Sequence, residues 1–138
     1  MIDPRDVPDV APNELLARYV LYSKHFRASD RTVRQDAFVP HPYVDLSVTR
    51  HLLATESELS EVGRNIASVQ AKKFYGRADI LAKTCLGLAL DVKPDPVNGN
   101  PNHANVLQWP TDKPAQKMIA MQLAATAQLR LIEEFGQS

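Results

Sequence analysis

His103 stands in NPNHANVLQWP, residues 100–110, between Asn102 and Asn105 and directly after a proline-broken loop. An imidazole so placed can move a proton, ligate a metal, or close the loop by bonding a backbone carbonyl. Asn102 and Asn105 could donate to a ligand, with a strand holding the ring in place. The other histidines are His25, His41 and His51, and His51 follows Arg50 at the polar end of DLSVTRHL. His103, His51 and Arg50 are therefore the catalytic candidates, and in one cleft they would suit a hydrolase or a nucleotide-acting enzyme. A metal would need convergence of a set such as His51, His103 and Asp45, but no HxxxH or HxH pair fixes two ligands on one element. No metal and no cofactor is expected. A lone histidine satisfies no catalytic template, so the loop-closing role of His103 is favoured.

KKFYGR, residues 72–77, is the one basic and aromatic cluster. Lys72, Lys73, Tyr75 and Arg77 could hold a phosphate while stacking a base, which makes them ligand-binding candidates. The same run describes a helix end, with cations at the carboxyl-terminal dipole and Gly76 as the stop, and that reading is favoured. Cys85 lies in the apolar AKTCLGLAL, where a thiol behaves as a small hydrophobe. A Cys85–His103 dyad would need a thiolate-favouring setting that this stretch does not supply. LSVTR also carries the Ser-x-Thr strand seen in NAD-dependent ADP-ribosyl transferases, with Arg18 on an earlier strand, but no convincing catalytic glutamate follows.

The elements that must position these groups can be read from periodicity. LLARYVLYSKHF begins apolar and aromatic, which predicts a strand near residues 16–22. DLSVTRHL alternates as a half-buried strand over 46–51. Thr55 and Glu58 have capping-box spacing, and Leu59, Val62, Ile66 and Val69 follow at helical intervals that should face the core. Gly76 ends that helix, and a short strand or helical turn is expected near 77–88, then an extended piece at 90–94. KPDPVNGNPN is a surface loop by its prolines and its Asn-Gly pair, and HANVLQW after it is a strand over 103–108. Asp112 is placed to cap the last helix and Pro114 to occupy its first turn. Met118, Met121, Ala125, Leu129 and Ile132 then recur on one face, widened by Ile119, Leu123 and Ala127, which predicts broad packing on a sheet or another subunit.

At 138 residues, 44% hydrophobic and 23% charged, the chain fits a single globular domain. Pro4, Pro8 and Pro12 with four charges mark residues 1–13 as a flexible or partner-bound arm before a domain over 14–138. Sixteen Lys and Arg against sixteen Asp and Glu leave no net field to draw nucleic acid or an anionic membrane. A local basic patch could still bind nucleic acid. The single cysteine excludes an intrachain disulfide and suits a reducing cytoplasm. Residues 1–16 carry acidic residues and three prolines where a signal peptide would need a positive region and an apolar run, so none is expected here, and no apolar run approaches the ~20 residues of a membrane span.

The order AFVP, LSVTR, a helix, LDVKPDP, NPNHANV and a lysine-led helix resembles a recurring pattern of small, uncharacterised bacterial proteins. It runs over residues 18–125, on Phe38, Pro40, Ser47, Arg50, Pro96, His103 and Ala104. The resemblance carries no reaction. The expected fold is α+β, a small, mainly antiparallel sheet covered by two helices. The expected role is that of a cytoplasmic binding or accessory subunit with a protein partner and no catalysis of its own, because the polar set is incomplete while arm and last helix offer partner surfaces.

Overall fold

Residues 1–132 are described by a computed structural model. Apolar alternation builds the main sheet. Strand β1 (Leu15–Val20) buries Leu16 and Val20, β4 (Leu46–Arg50) buries Leu46 and Val48, and β7 (His103–Leu107) buries Ala104 and Val106. Val48 faces Ala104 and Leu46 faces Val106 in register, so these side chains share one face. Strands β5 (Gly76–Leu81), β6 (Asp91–Pro94) and β8 (Gln128–Leu131) complete an antiparallel six-stranded sheet in the order β6-β7-β4-β1-β5-β8. Short strands β2 (Phe26–Arg27) and β3 (Thr32–Val33) form a separate ribbon. The fold is α+β, as expected, with two strands more in the sheet than periodicity foresaw.

Helix α1 (Glu56–Val69) starts where its cap predicts: the Thr55 hydroxyl accepts from Glu58 N–H, and the Glu58 carboxylate accepts from Thr55 N–H. It lies against Tyr19 and Phe74, and Gly63 permits that approach, since any Cβ there would strike both rings. Tyr19 donates its hydroxyl hydrogen to Leu59 O at 2.6 Å, fastening helix to sheet. Leu59 and Val62 face the core as predicted, whereas Ile66 is half-buried and Val69 is 88% exposed. The short α2 (Ala82–Gly87) follows β5 directly and buries Cys85.

Helix α3 (Lys113–Thr126) covers the other face, with Asp112 capping Ala115 N–H and a proline in its first turn. Its buried side is Gln116, Ala120 and Leu123, packed on the 3-10 turn Gln35–Phe38 that carries buried Ala37 and Phe38. The expected methionine stripe is thus corrected: Met118 is 64% and Met121 54% exposed. Small Ala120 lets the helix rest closely on the turn, and this fixes which side goes in. The expected helix to Ile132 is also corrected. Ala127 is extended, and Leu129 and Leu131 alternate into the core from β8. Gly76 allows that last pairing, because a Cβ there would collide with the backbone of Arg130.

The amino-terminal arm is bound by its own domain rather than left free. Ile2 is only 2% exposed. Its N–H donates to Asn102 Oδ1 at 2.8 Å. Pro8 O and Asp9 O accept from Arg50, and Pro12 O accepts from Lys83 N–H. The arm's carbonyls are what a buried guanidinium needs, so prolines that bar helix here do not bar docking.

Candidate functional site

Strand β1 pairs with β5 along its whole length, Leu15 with Leu81 through Val20 with Gly76. With β4 it pairs only at Leu16–Arg50 and Ala17–Thr49. Past Ala17 the two strands part, and an open cleft of about 700 Å³ lies at the split. Arg18 spans it. Its Nε–H donates to Ala37 O at 2.8 Å and Nη1–H to Ser47 O at 3.0 Å. Both acceptors are neutral carbonyls. Among the described residues Arg18 forms no ion pair, and its Nη2 has no protein acceptor and is not sealed from the cleft. Burial pushes its pKa down to about 10, against a smaller opposing effect of Tyr22, so the cation persists at neutral pH without a counter-charge.

Lys24, Lys113 and Lys117 also line the cleft, against the carboxylates Asp36 and Asp45, so with Arg18 there are four cations to two anions. Tyr43 lines it with 72% of its surface exposed. Tyr22 is less available, with the His25 ring at 4.8 Å and the Lys72 ammonium at 4.8 Å. The pKa of His25 is lowered, first by burial and then by Arg18, with Asp36 opposing and Lys24 adding.

The residues singled out from sequence fall elsewhere or have other duties. Arg50 is wholly buried, and its Nε and Nη2 donate to the two Glu14 oxygens at 2.8 Å each. His51 Nε2 lies 2.9 Å from Asp79 Oδ1. His103 holds the loop: its Nδ1 is 2.8 Å from Asp95 O, and since a carbonyl only accepts, Nδ1 carries the hydrogen. No side-chain hydrogen bond joins His103, His51 and Arg50 among the described residues, so the proposed triad is not assembled. Of the three, only His103 lines the cleft. Among the described residues no group of three His, Cys, Asp or Glu is placed to hold a metal.

Asn102 is buried, donating to Arg50 O and Leu52 O, and Asn105 donates to Asp95 Oδ2 at 2.8 Å. Neither is presented to a ligand as expected, because each ties the 93–102 loop to a strand. In the basic cluster, Lys73 lies over the Tyr75 ring and Phe74 is buried beside Tyr19. Arg77 is buried, donating to Asp79 and, through both terminal nitrogens, to Glu56 at 2.8 and 2.9 Å. The helix-end reading of this cluster is corrected: α1 ends at Val69, and Gly76 with Arg77 opens β5 instead, because Gly76 is where the backbone of Arg130 comes close. Cys85 is fully buried and burial raises its pKa to about 11, so its thiol is quiet, and no dyad with His103 forms.

The cleft's central residue had a signal that alternation alone contains. In LLARYV the inward positions are Leu16, Arg18 and Val20, and a cation at a core-facing position needs a reason. Comparison with protein-family models, curated proteins and solved structures finds no match. The class of molecule is therefore defined by what has just been described: an α+β domain with a cationic cleft at a split between strands.

Proposed function

We propose that the protein is a small bacterial, cytoplasmic binding or accessory subunit, working in a multi-protein system, whose cleft recognises an anionic group. The observation that carries this reading is Arg18, oriented by two carbonyls and, among the described residues, bonded to no carboxylate. A guanidinium held this way has already lost its rotamer freedom and part of its water, so an anion gains charge-assisted hydrogen bonds at low cost. The cleft volume of about 700 Å³ falls within the range of small-ligand sites. Recognition is favoured over catalysis because Arg50, His51 and Cys85 are taken up by ion pairing, hydrogen bonding and burial. Met118 and Met121 on exposed α3, the helix that also supplies Lys113 and Lys117, support a partner surface beside the cleft. Among the described residues, no helix is long and apolar enough to cross a membrane.

The test is a titration with inorganic phosphate and with succinate, followed by backbone amide resonances. Saturable shifts confined to Arg18, Lys24, Ser47, Lys113 and their neighbours are expected. Absence of saturable shifts at millimolar anion, or shifts scattered over the surface, would contradict the reading.

A further inference from the structure

We propose that the ligand of the cleft is a single phosphate monoester joined to a planar ring, of nucleoside monophosphate size, with the phosphate on Arg18 and the ring on Tyr43. This rests on the anion-recognition reading and deepens it.

Three observations lead there. The first is the donor geometry at Arg18. With Nε and one hydrogen of Nη1 fixed on Ala37 O and Ser47 O, the remaining donors are those of Nη2 and the second of Nη1. Nη2 thus keeps both of its hydrogens for the oxygens of an anion entering the cleft. The second is charge. Arg18, Lys24, Lys113 and Lys117 make four positive charges and Asp36 and Asp45 two negative ones, a positive excess of two. A phosphate monoester near neutral pH carries about −1.5 to −2 and matches that excess, whereas a triphosphate would exceed it.

The third is the aromatic wall. Among aromatic side chains of the cleft, Tyr22 already has His25 and Lys72 against its ring, but Tyr43 is 72% exposed. Its backbone is anchored, since Tyr43 O accepts from the buried Gln116 amide at 3.2 Å. The ring is thus an exposed face on a fixed stem, which is what stacking a base requires. A dicarboxylate would satisfy the cations but leave Tyr43 without a role.

The experiment is calorimetric titration of the full chain with nucleoside 5′-monophosphates, inorganic phosphate, unphosphorylated nucleosides and succinate. At least one monophosphate should bind about tenfold or more tightly than inorganic phosphate, with nucleosides weaker than either. Arg18→Lys keeps the charge but loses the planar guanidinium and its Nη2 donors, and should weaken the monophosphate about tenfold. Tyr43→Ala should weaken the monophosphate about fivefold while leaving inorganic phosphate unchanged. Should Arg18→Lys fail to fold, Lys113→Glu on exposed α3 serves in its place and should weaken both phosphate ligands. Monophosphates no tighter than phosphate, or indifferent to Tyr43→Ala, would overturn the inference. Succinate tighter than every phosphate would overturn it too while leaving anion recognition standing, and no anion binding at all would remove both.

Discussion

Arg18 and Arg50 lie on the same face of the sheet, on neighbouring strands, with Leu16 facing Arg50 in register and Arg18 two residues further along β1. Their surroundings differ in one respect. Arg50 meets both oxygens of Glu14 and the carbonyls of Pro8 and Asp9, so charge and donors are satisfied within the chain. Among the described residues, the acceptors of Arg18 are only the carbonyls of Ala37 and Ser47. On the opposite face Arg77 is also matched, by Asp79 and Glu56. Among the described residues the fold supplies carboxylates to two of these arginines and none to the third, which is the contrast the proposed anion site rests on. Closed ion pairs hold the architecture together, and the arginine without one is the group on which the proposed site rests.

The largest effect should come from removing the arm that completes the Arg50 end. Deleting residues 1–12 exposes the cavity of Ile2 and strips acceptors from Arg50 and a donor from Asn102. A loss of about 4 kcal/mol is expected, from one buried aliphatic side chain and several hydrogen bonds, read by urea denaturation. Glu14→Gln comes next, leaving Arg50 buried without a counter-charge, and should cost about 3 kcal/mol by the same measurement. Arg18→Met should change stability by only about 1 kcal/mol, because two lost hydrogen bonds are offset by removing an unpaired charge. Similar losses for Arg18→Met and Glu14→Gln would erase the distinction between the two ends.

The acid limb of stability sharpens it further. Burial alone would raise the pKa of Glu14, but hydrogen bonds from Arg50 and Ala11 and the charge of Arg50 outweigh it, and the net shift is downward. Glu56 is lowered as well, mainly by its hydrogen bonds from Arg77. A carboxyl with a lowered folded-state pKa stabilises fully above its ordinary value of 4.5 and loses that contribution as pH falls through the lowered one. Stability should therefore fall on acidification below that range, and Glu14→Gln should flatten the slope. Smallest of all, Val69→Lys on the exposed end of α1 should shift stability by less than about 0.5 kcal/mol.

What could be read beforehand follows the range of each interaction. The caps Thr55–Glu58 and Asp112–Ala115 span three residues and were legible, as was the burial of Cys85 among leucines. Alternation and the flanking turns gave β4 and β7 as strands but left open which of their faces turns to the core. The inward side of α3 was not legible, because two apolar stripes compete there and only the Gln35–Phe38 turn, distant in sequence, selects Ala120 and Leu123 over Met118 and Met121. The strand Gln128–Leu131 was hidden for a related reason, since Leu129 fits both a helical stripe and an alternating edge strand. The site was obscured most. Glu14 and Arg50 are 36 residues apart, so nothing local says that Arg50 is matched. That no carboxylate among the described residues bonds Arg18 has no sequence signature at all. His103 attracted attention by its neighbours, yet its bond to Asp95 O is the loop closure that the bland reading foresaw.

The claim that Arg18 alone among these three arginines is open to an anion is tested most directly by their side-chain Nε–H resonances during titration with inorganic phosphate. The account predicts a saturable shift of the Arg18 resonance, with those of Arg50 and Arg77 unmoved because carboxylates already occupy their donors. An unmoved Arg18, or three arginines shifting together, would contradict it.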